Sequence, residues 1–270
     1  MPNAQPLLTS APYRETPPPS PLAGAVACIW THGGSSSAVG SRQTIVPDNC
    51  ADIIWRLSPA GDVLSALVAG PMSRPFVVPG SRAGHYVGVR FLPGQLARVL
   101  RVNAADVRDQ HIPVDDILKG IRLLLDGLAP SNPAATLRVL AKALGARILD
   151  ARTLPPVLAH ALFQIDATQG QLTVEALARR VGASRQHLAR IFDVNVGLRP
   201  KFVARVVRLQ HAMAIAIRSR EVAEARSLNR MPHLSWSAIA AEVGYADQSH
   251  MVADFMSLTG TSPAAWLAAR

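Results

Sequence analysis

Six polar side chains in the last third of the chain have the chemistry needed to read the edge of a base pair. Arg185, Gln186 and Arg190 lie in one short segment, and Gln248, Ser249 and His250 lie in another. Arginine offers a planar fork of donors that matches guanine, and glutamine matches adenine in the same two-pronged way. Serine and histidine make single hydrogen bonds to bases or phosphates. Ser184 stands at the start of the first segment as its cap, and Ala189 shares the outward face. Side chains of this kind discriminate only if the elements carrying them are held at a fixed distance and angle.

The pattern around both segments supplies such elements, because it occurs twice. The first copy reads Ala178-x3-Gly182, then Phe192-x4-Gly197-x2-Pro200; the second reads Ala240-x3-Gly244, then Phe255-x4-Gly260-x2-Pro263. Two copies of one small unit at a fixed offset imply two matched heads gripping a repetitive polymer such as DNA. In the first copy, apolar or small residues at Val174, Leu177, Ala178, Val181, Leu188 and Ile191 follow a helical period broken by Gly182. This is the arrangement of a helix–turn–helix. Ala178 is small where the second helix crosses, and Gly182 can take the left-handed backbone a tight turn needs. Thr173 and Ser184 are the expected helix caps. The second copy keeps Ile239, Ala240, Val243 and Gly244, with a turn one residue longer. Ala253 and Asp254 are expected to continue its outward face, and no Arg or Lys occurs from Met231 to Ala269. The first unit should therefore carry most of the affinity and base reading, and the second mainly phosphate positioning.

Charge agrees with a polyanionic partner. The formal net charge of the 270 residues is +10, and residues 179–208 hold Arg179, Arg180, Arg185, Arg190, Arg199, Lys201, Arg205 and Arg208 against Asp193 alone. The two cysteines, Cys28 and Cys50, form neither a disulfide framework nor a zinc-ligand spacing. The start of the chain lacks a charged region followed by an apolar run, and no stretch is apolar enough to span a bilayer. The expectation is a cytoplasmic protein without membrane association.

The expected fold class is α+β in two domains. Residues 1–21, with six prolines in the first twenty, read as a disordered lead. Residues 22–153 read as an antiparallel β-rich domain with helices at its C-terminal end. Short apolar runs such as Ala25–Trp30, Asp52–Leu57, Val63–Ala69 and Tyr86–Phe91 are separated there by Gly, Pro, Asn and Asp. Helical periods follow at Gln95–Leu100, Asp115–Leu128 and Pro133–Ala151, and Pro155-Pro156 marks the boundary. Residues 156–270 read as all-α: helix–turn–helix 1 at about 174–192, a joining helix at about 200–219, and helix–turn–helix 2 at about 236–258.

Residues 156–270 resemble the DNA-binding domain of the AraC/XylS family of bacterial transcription regulators. The run from Leu172 to Phe192 is similar to the family's first unit. The stretch Gly244-Tyr-Ala-Asp-Gln-Ser-His250, with Phe255-x4-Gly260-Thr-Ser-Pro263, is similar to its best-known signature. The resemblance implies two recognition helices entering successive major-groove segments of double-stranded promoter or operator DNA. Arg185, Gln186, Ala189 and Arg190 would fill one contact face, and Gln248, Ser249 and His250 the other. It also implies RNA polymerase as a partner. Position 253 is often basic in the family and is alanine here. Residues 22–118 resemble, less specifically, the cupin-like sensory domain preceding this module in some family members, through Val46–Trp55, Ala69–Pro75 and Val87–Gly94. A small-molecule effector and homodimer formation are the corresponding expectations.

Other chemistries fit less well. Asp48, Asp52, His32 and His85 lack the close His-x-His and downstream Glu of a metal cupin, so no metal, cofactor or catalytic residue is assigned. Arg56, Arg74 and Arg90 could clamp an acidic effector, but Arg90 pairing with Asp52 is the favoured reading. The stripe Leu137–Leu140–Leu144–Ile148 suits either a dimer seam or internal core. The chain is therefore read as a sequence-specific transcription regulator rather than an enzyme. The alternatives are a non-specific architectural DNA-binding protein and a cupin-like enzyme fused to a DNA-targeting module.

Overall fold

The computed structural model describes residues 13–33, 43–58, 60, 62–78, 85–117, 133–225 and 235–269. The first part is built on an antiparallel sheet in the order β1-β2-β7-β4-β5-β8. Its strands are β1 (Tyr13–Thr16), β2 (Val26–His32), β4 (Ala51–Leu57), β5 (Val63–Ala69), β7 (His85–Phe91) and β8 (His111–Pro113). A separate pair joins β3 (Gln43–Ile45) to β6 (Phe76–Val78). Alternation explains which way β4 faces. Ala51, Ile53, Trp55 and Leu57 are buried, and the residues between them point to the opposite face.

Two helices cover the apolar face, α1 (Gln95–Leu100) and α3 (Pro133–Asp150), while α2 (Val114–Ile117) packs by β5 and β8. Leu140, Leu144 and Ile148 of α3 join Ile53, Trp55, Val89 and Phe91 in one core, so that stripe is internal packing. The side chain of Leu137 lies outside the described residues. So does most of the helix expected over 115–128, of which Val114–Ile117 is seen.

The expected disordered lead is corrected in its second half. Tyr13–Thr16 pairs with β2 in the register Tyr13↔His32 to Thr16↔Ile29, and Leu22 is fully buried. Prolines 17–19 do not prevent this. They follow the strand, and β1 lies at the sheet edge, where missing donors are tolerated.

The second part is helical throughout its described length: α4 (Pro156–Ala167), α5 (Val174–Arg180), α6 (Arg185–Val196), α7 (Pro200–Ala225), α8 (Trp236–Glu242), α9 (Gln248–Thr259) and α10 (Pro263–Ala268). The joining helix α7 reaches Ala225, past the expected end near Ser219. Its own faces knit the two units together. Val203 and Ala204 pack with Leu177, Leu188 and Phe192; Ala212, Ile215 and Ala216 pack with Ile239, Val243 and Met251. Between them, Val206 and Leu209 meet Phe255, Leu258 and Trp266. Phe192 and Phe255, the repeated phenylalanines, are each fully buried. Burial of each such side chain is worth roughly 1.5–3 kcal/mol.

Candidate nucleic-acid interface

Each helix–turn–helix is assembled by short-range hydrogen bonds. The Thr173 hydroxyl accepts from the Ala176 amide at 3.2 Å and starts α5. Gly182 ends the turn at φ +67°, and an added Cβ there would meet nothing within 4 Å. The glycine is thus required by backbone conformation and not by crowding. Ser184 Oγ then accepts from the His187 amide at 3.1 Å, capping α6. In the second unit Ser235 caps α8 through the Ala238 amide at 3.2 Å, and Asp247 caps α9 through the His250 amide at 2.7 Å.

These caps aim the polar faces outward. Ser184, Arg185, Gln186 and Arg190 are exposed on α6, with Ala189 half-buried among them. Arg185 Nη1 donates to Glu175 Oε1 at 2.8 Å, and this hydrogen bond holds the Glu175 carboxyl below its usual range. Both side chains are mostly exposed, so the contact orients Arg185 and adds little stability. Arg190 Nη2 lies 3.5 Å from His187 Nδ1. His187 is exposed on the same helix and was passed over in the sequence; its position three residues before Arg190 was the available signal. On α9, Gln248, Ser249 and His250 are exposed together, and the His250 ring stands edge-on to Tyr245 at 5.3 Å.

Asp254 does not continue that face. It is 9% exposed, and Arg205 of α7 donates to its Oδ1 through Nε at 3.0 Å and Nη2 at 2.7 Å. The Tyr245 hydroxyl donates to Oδ2 at 3.3 Å. Met251, Asp254, Phe255 and Leu258 occupy the inward stripe of α9 at three- and four-residue spacing. Of the two residues expected to continue the outward face, only Ala253 is exposed. The basic run 179–208 is likewise divided. Arg205 serves Asp254, and Arg208 donates to the Gly170 carbonyl at 2.7 Å and lies over the Tyr245 ring. Arg179, Arg180, Arg185, Arg190, Arg199 and Lys201 remain exposed.

The polar face of the β-sheet carries a second cluster. Arg90 is enclosed by Glu15 at 3.3 Å, Asp48 at 3.3 Å and Asp52 at 3.6 Å. Trp30 Nε1 donates to Asp52 at 2.7 Å. Burial pushes the Asp52 carboxyl up to about 6, Arg90 pulls it down, and Asp48 adds to the rise. Arg90 pairs with Asp52, as favoured from sequence, while Arg74 is exposed. Burial also raises the Cys28 thiol to about 12 and the Cys50 thiol well above its usual value, which disfavours the thiolate in both. Among the described residues no group of three His, Cys, Asp or Glu side chains could hold a metal ion, and no helix is long and apolar enough to cross a membrane.

Fold and surface together define a chain with an antiparallel β-domain followed by two helix–turn–helix units on one shared helix. Residues 14–113 match a domain of unknown function, DUF6597. No curated protein matches the chain. Among solved structures it is similar to the C-terminal domain of AraT, a response regulator from Geobacillus stearothermophilus, at 22% identity and a TM-score of 0.36, over 44% of this chain and 89% of that one. It is also similar to ToxT from Vibrio cholerae, at 9% identity and a TM-score of 0.41, over 95% of this chain and 98% of that one. For ToxT from strain O395 the values are 10% identity, a TM-score of 0.43, and 89% and 96% coverage.

Proposed function

We propose that this protein is a sequence-specific, double-stranded-DNA-binding transcription regulator of the AraC/XylS type, with an effector-responsive N-terminal domain at about 22–153. The observation that carries this reading is the pair of capped helices, α6 and α9, each presenting polar side chains to solvent while one 26-residue helix packs against both units. A helix of that length spans about 39 Å, comparable to the roughly 34–36 Å between major-groove segments one turn apart.

In this reading Arg185, Gln186 and Arg190 read bases, and Ser184 and Ala189 let α6 approach the groove. His187 joins them. Gln248, Ser249 and His250 position α9 on phosphates with limited base contact. RNA polymerase is the partner on the promoter, a homodimer is the proposed assembly, and the cytoplasm is the proposed location.

The test is selection of random duplex DNA on the purified protein at moderate salt. Enrichment of two half-elements about one helical turn apart supports the reading. Arg190→Ala should then weaken the selected site by about 1–3 kcal/mol while barely changing binding to random DNA. Tight, salt-sensitive binding without enrichment would instead identify a non-specific architectural protein.

A further inference from the structure

A cavity of about 280 Å³ lies at the seam between the β-domain and the helical part. One wall comes from the turn at Asp48, Asn49 and Cys50 and from Arg90 at the end of β7. The other comes from α4, through Ala159, Leu162, Phe163 and Asp166, and from Val203, Val207 and Gln210 of α7. Most of the lining is apolar. Its polar part leaves two buried atoms without a hydrogen bond, Asn49 Oδ1 and Arg90 Nε, and only Arg90 Nε has an opposite charge near it, Asp48 at 3.3 Å.

Arg90 is the single cation among the lining residues, and it is already enclosed by Glu15, Asp48 and Asp52. Of these carboxylates only Asp48 lines the cavity, and with Asp166 it outnumbers Arg90 there, so the lining is net negative by one charge. Asp166, on the opposite wall, is half-buried, and no cation pairs with it among the described residues. Asn49 gives an independent sign. It is 3% exposed and held at φ +65°, and its Nδ2 donates to the Val203 carbonyl at 3.0 Å. That bond fixes which end of the amide is oxygen, because an oxygen facing a carbonyl would be repelled. Asn49 Oδ1 is left buried with no partner in the protein. An unsatisfied buried acceptor costs about 1–3 kcal/mol, and it calls for a donor.

We infer that this cavity binds a small protonated amine on a compact apolar body, with the ammonium toward Asn49, Asp48 and Asp166 and the body against Leu162, Phe163 and Val207. The inference rests on the proposed regulatory function and names the effector class and its site. An anionic effector is disfavoured by the same groups. The volume limits the body to about one ring and a short arm, since it falls at the small end of ligand pockets. Because the walls belong to both parts of the chain, an occupant bridges them and bears on how α7 sits against the β-domain.

The experiment is calorimetric titration of the full chain with three matched probes: 3-phenylpropylamine, 3-phenylpropanol and 3-phenylpropionate. The amine should bind tightest and the carboxylate weakest. Asp166→Asn should weaken the amine about tenfold, the effect of losing one charged hydrogen bond, and leave the alcohol unchanged. Ala159→Trp, at an exposed helix position lining the cavity, should block both. The inference is overturned if no probe binds at millimolar concentration, if the carboxylate binds as well as the amine, or if neither variant changes amine binding. Affinity for the selected duplex, measured with and without the amine, keeps the two ideas apart. Amine binding with no effect on a specific duplex removes the effector role alone. Amine binding by a chain that shows no sequence preference removes the regulator reading and leaves the site.

Discussion

At the scale of single residues, the instructive position is Asp254. A carboxylate this far into a helical core persists only when partnered, and here Arg205 and Tyr245 supply three hydrogen bonds. The Arg205 side chain keeps 28% of its exposure and that of Asp254 11%, so solvent screens the pair only in part. Asp254→Ala removes the acceptor and strands both donors. The expected loss is about 2–3 kcal/mol, read as a lower denaturation midpoint for the full chain. Asp254→Arg should lose more, because it sets two guanidinium groups together, and it should not raise DNA affinity. Unchanged stability in either variant would place Asp254 back on the surface. The period of α9 already pointed inward at this residue, since Met251, Phe255 and Leu258 share its face. Its acidic character argued the other way, and the partner that resolves the conflict lies 49 residues away in sequence. Spacing within one helix could not reveal it.

At the scale of elements, what was legible in the sequence was what is local. The caps Thr173 and Ser184, the Gly182 turn and the apolar stripes of α5 and α6 are set by residues within a few positions of one another, and they stand where the period put them. The sheet is different. Its strands could be marked from alternation, but the order β1-β2-β7-β4-β5-β8 arises from pairings such as Ile54↔Gly88, which no local pattern encodes. Strand β1 was missed because its neighbours are prolines, and its stability comes from pairing with β2 and from Glu15 reaching Arg90. Ser184 allows the local logic to be tested, because its hydroxyl caps α6 at the surface proposed to meet DNA. Ser184→Ala should cost about 1 kcal/mol of stability through the lost cap. Ser184→Asp should keep the cap, since aspartate caps as well, yet weaken DNA binding by repelling phosphate. Thermal unfolding and duplex titration of the two variants separate the roles; equal DNA affinity in Ser184→Asp and the parent would remove this end of α6 from the interface.

At the scale of the whole molecule, the β-domain rests on the trailing end of α6 and leaves its leading end exposed. The Ala104 amide donates to the Val194 carbonyl at 2.8 Å. Arg108 donates to the Gly197 carbonyl at 3.0 Å and pairs with Asp193 at 3.3 Å. The approach is close enough that a Cβ on Gly197 would fall 2.6 Å from the Ala104 carbonyl oxygen, so the repeated glycine of the first unit also serves the seam. Asn49 adds its bond to Val203 on α7. None of these contacts could be read from the sequence, because each joins residues more than eighty positions apart. These contacts are polar, and they stand beside the mostly apolar lining of the cavity at the same seam. Arg108 is the contact that can be removed without leaving a hole in either core, since its side chain is 38% exposed. Arg108→Ala should therefore leave the main unfolding transition nearly unchanged while loosening the seam. Arg152, exposed in the segment between α3 and α4, reports on this directly. Its carbonyl is held by Arg98 of the β-domain at 3.1 Å, and it is a trypsin site. Cleavage after Arg152 should speed up several-fold in Arg108→Ala, as expected when opening precedes cutting. An unchanged cleavage rate would mean that the two parts hold together through Asn49 and the apolar lining of the cavity, with the Arg108 contacts contributing nothing.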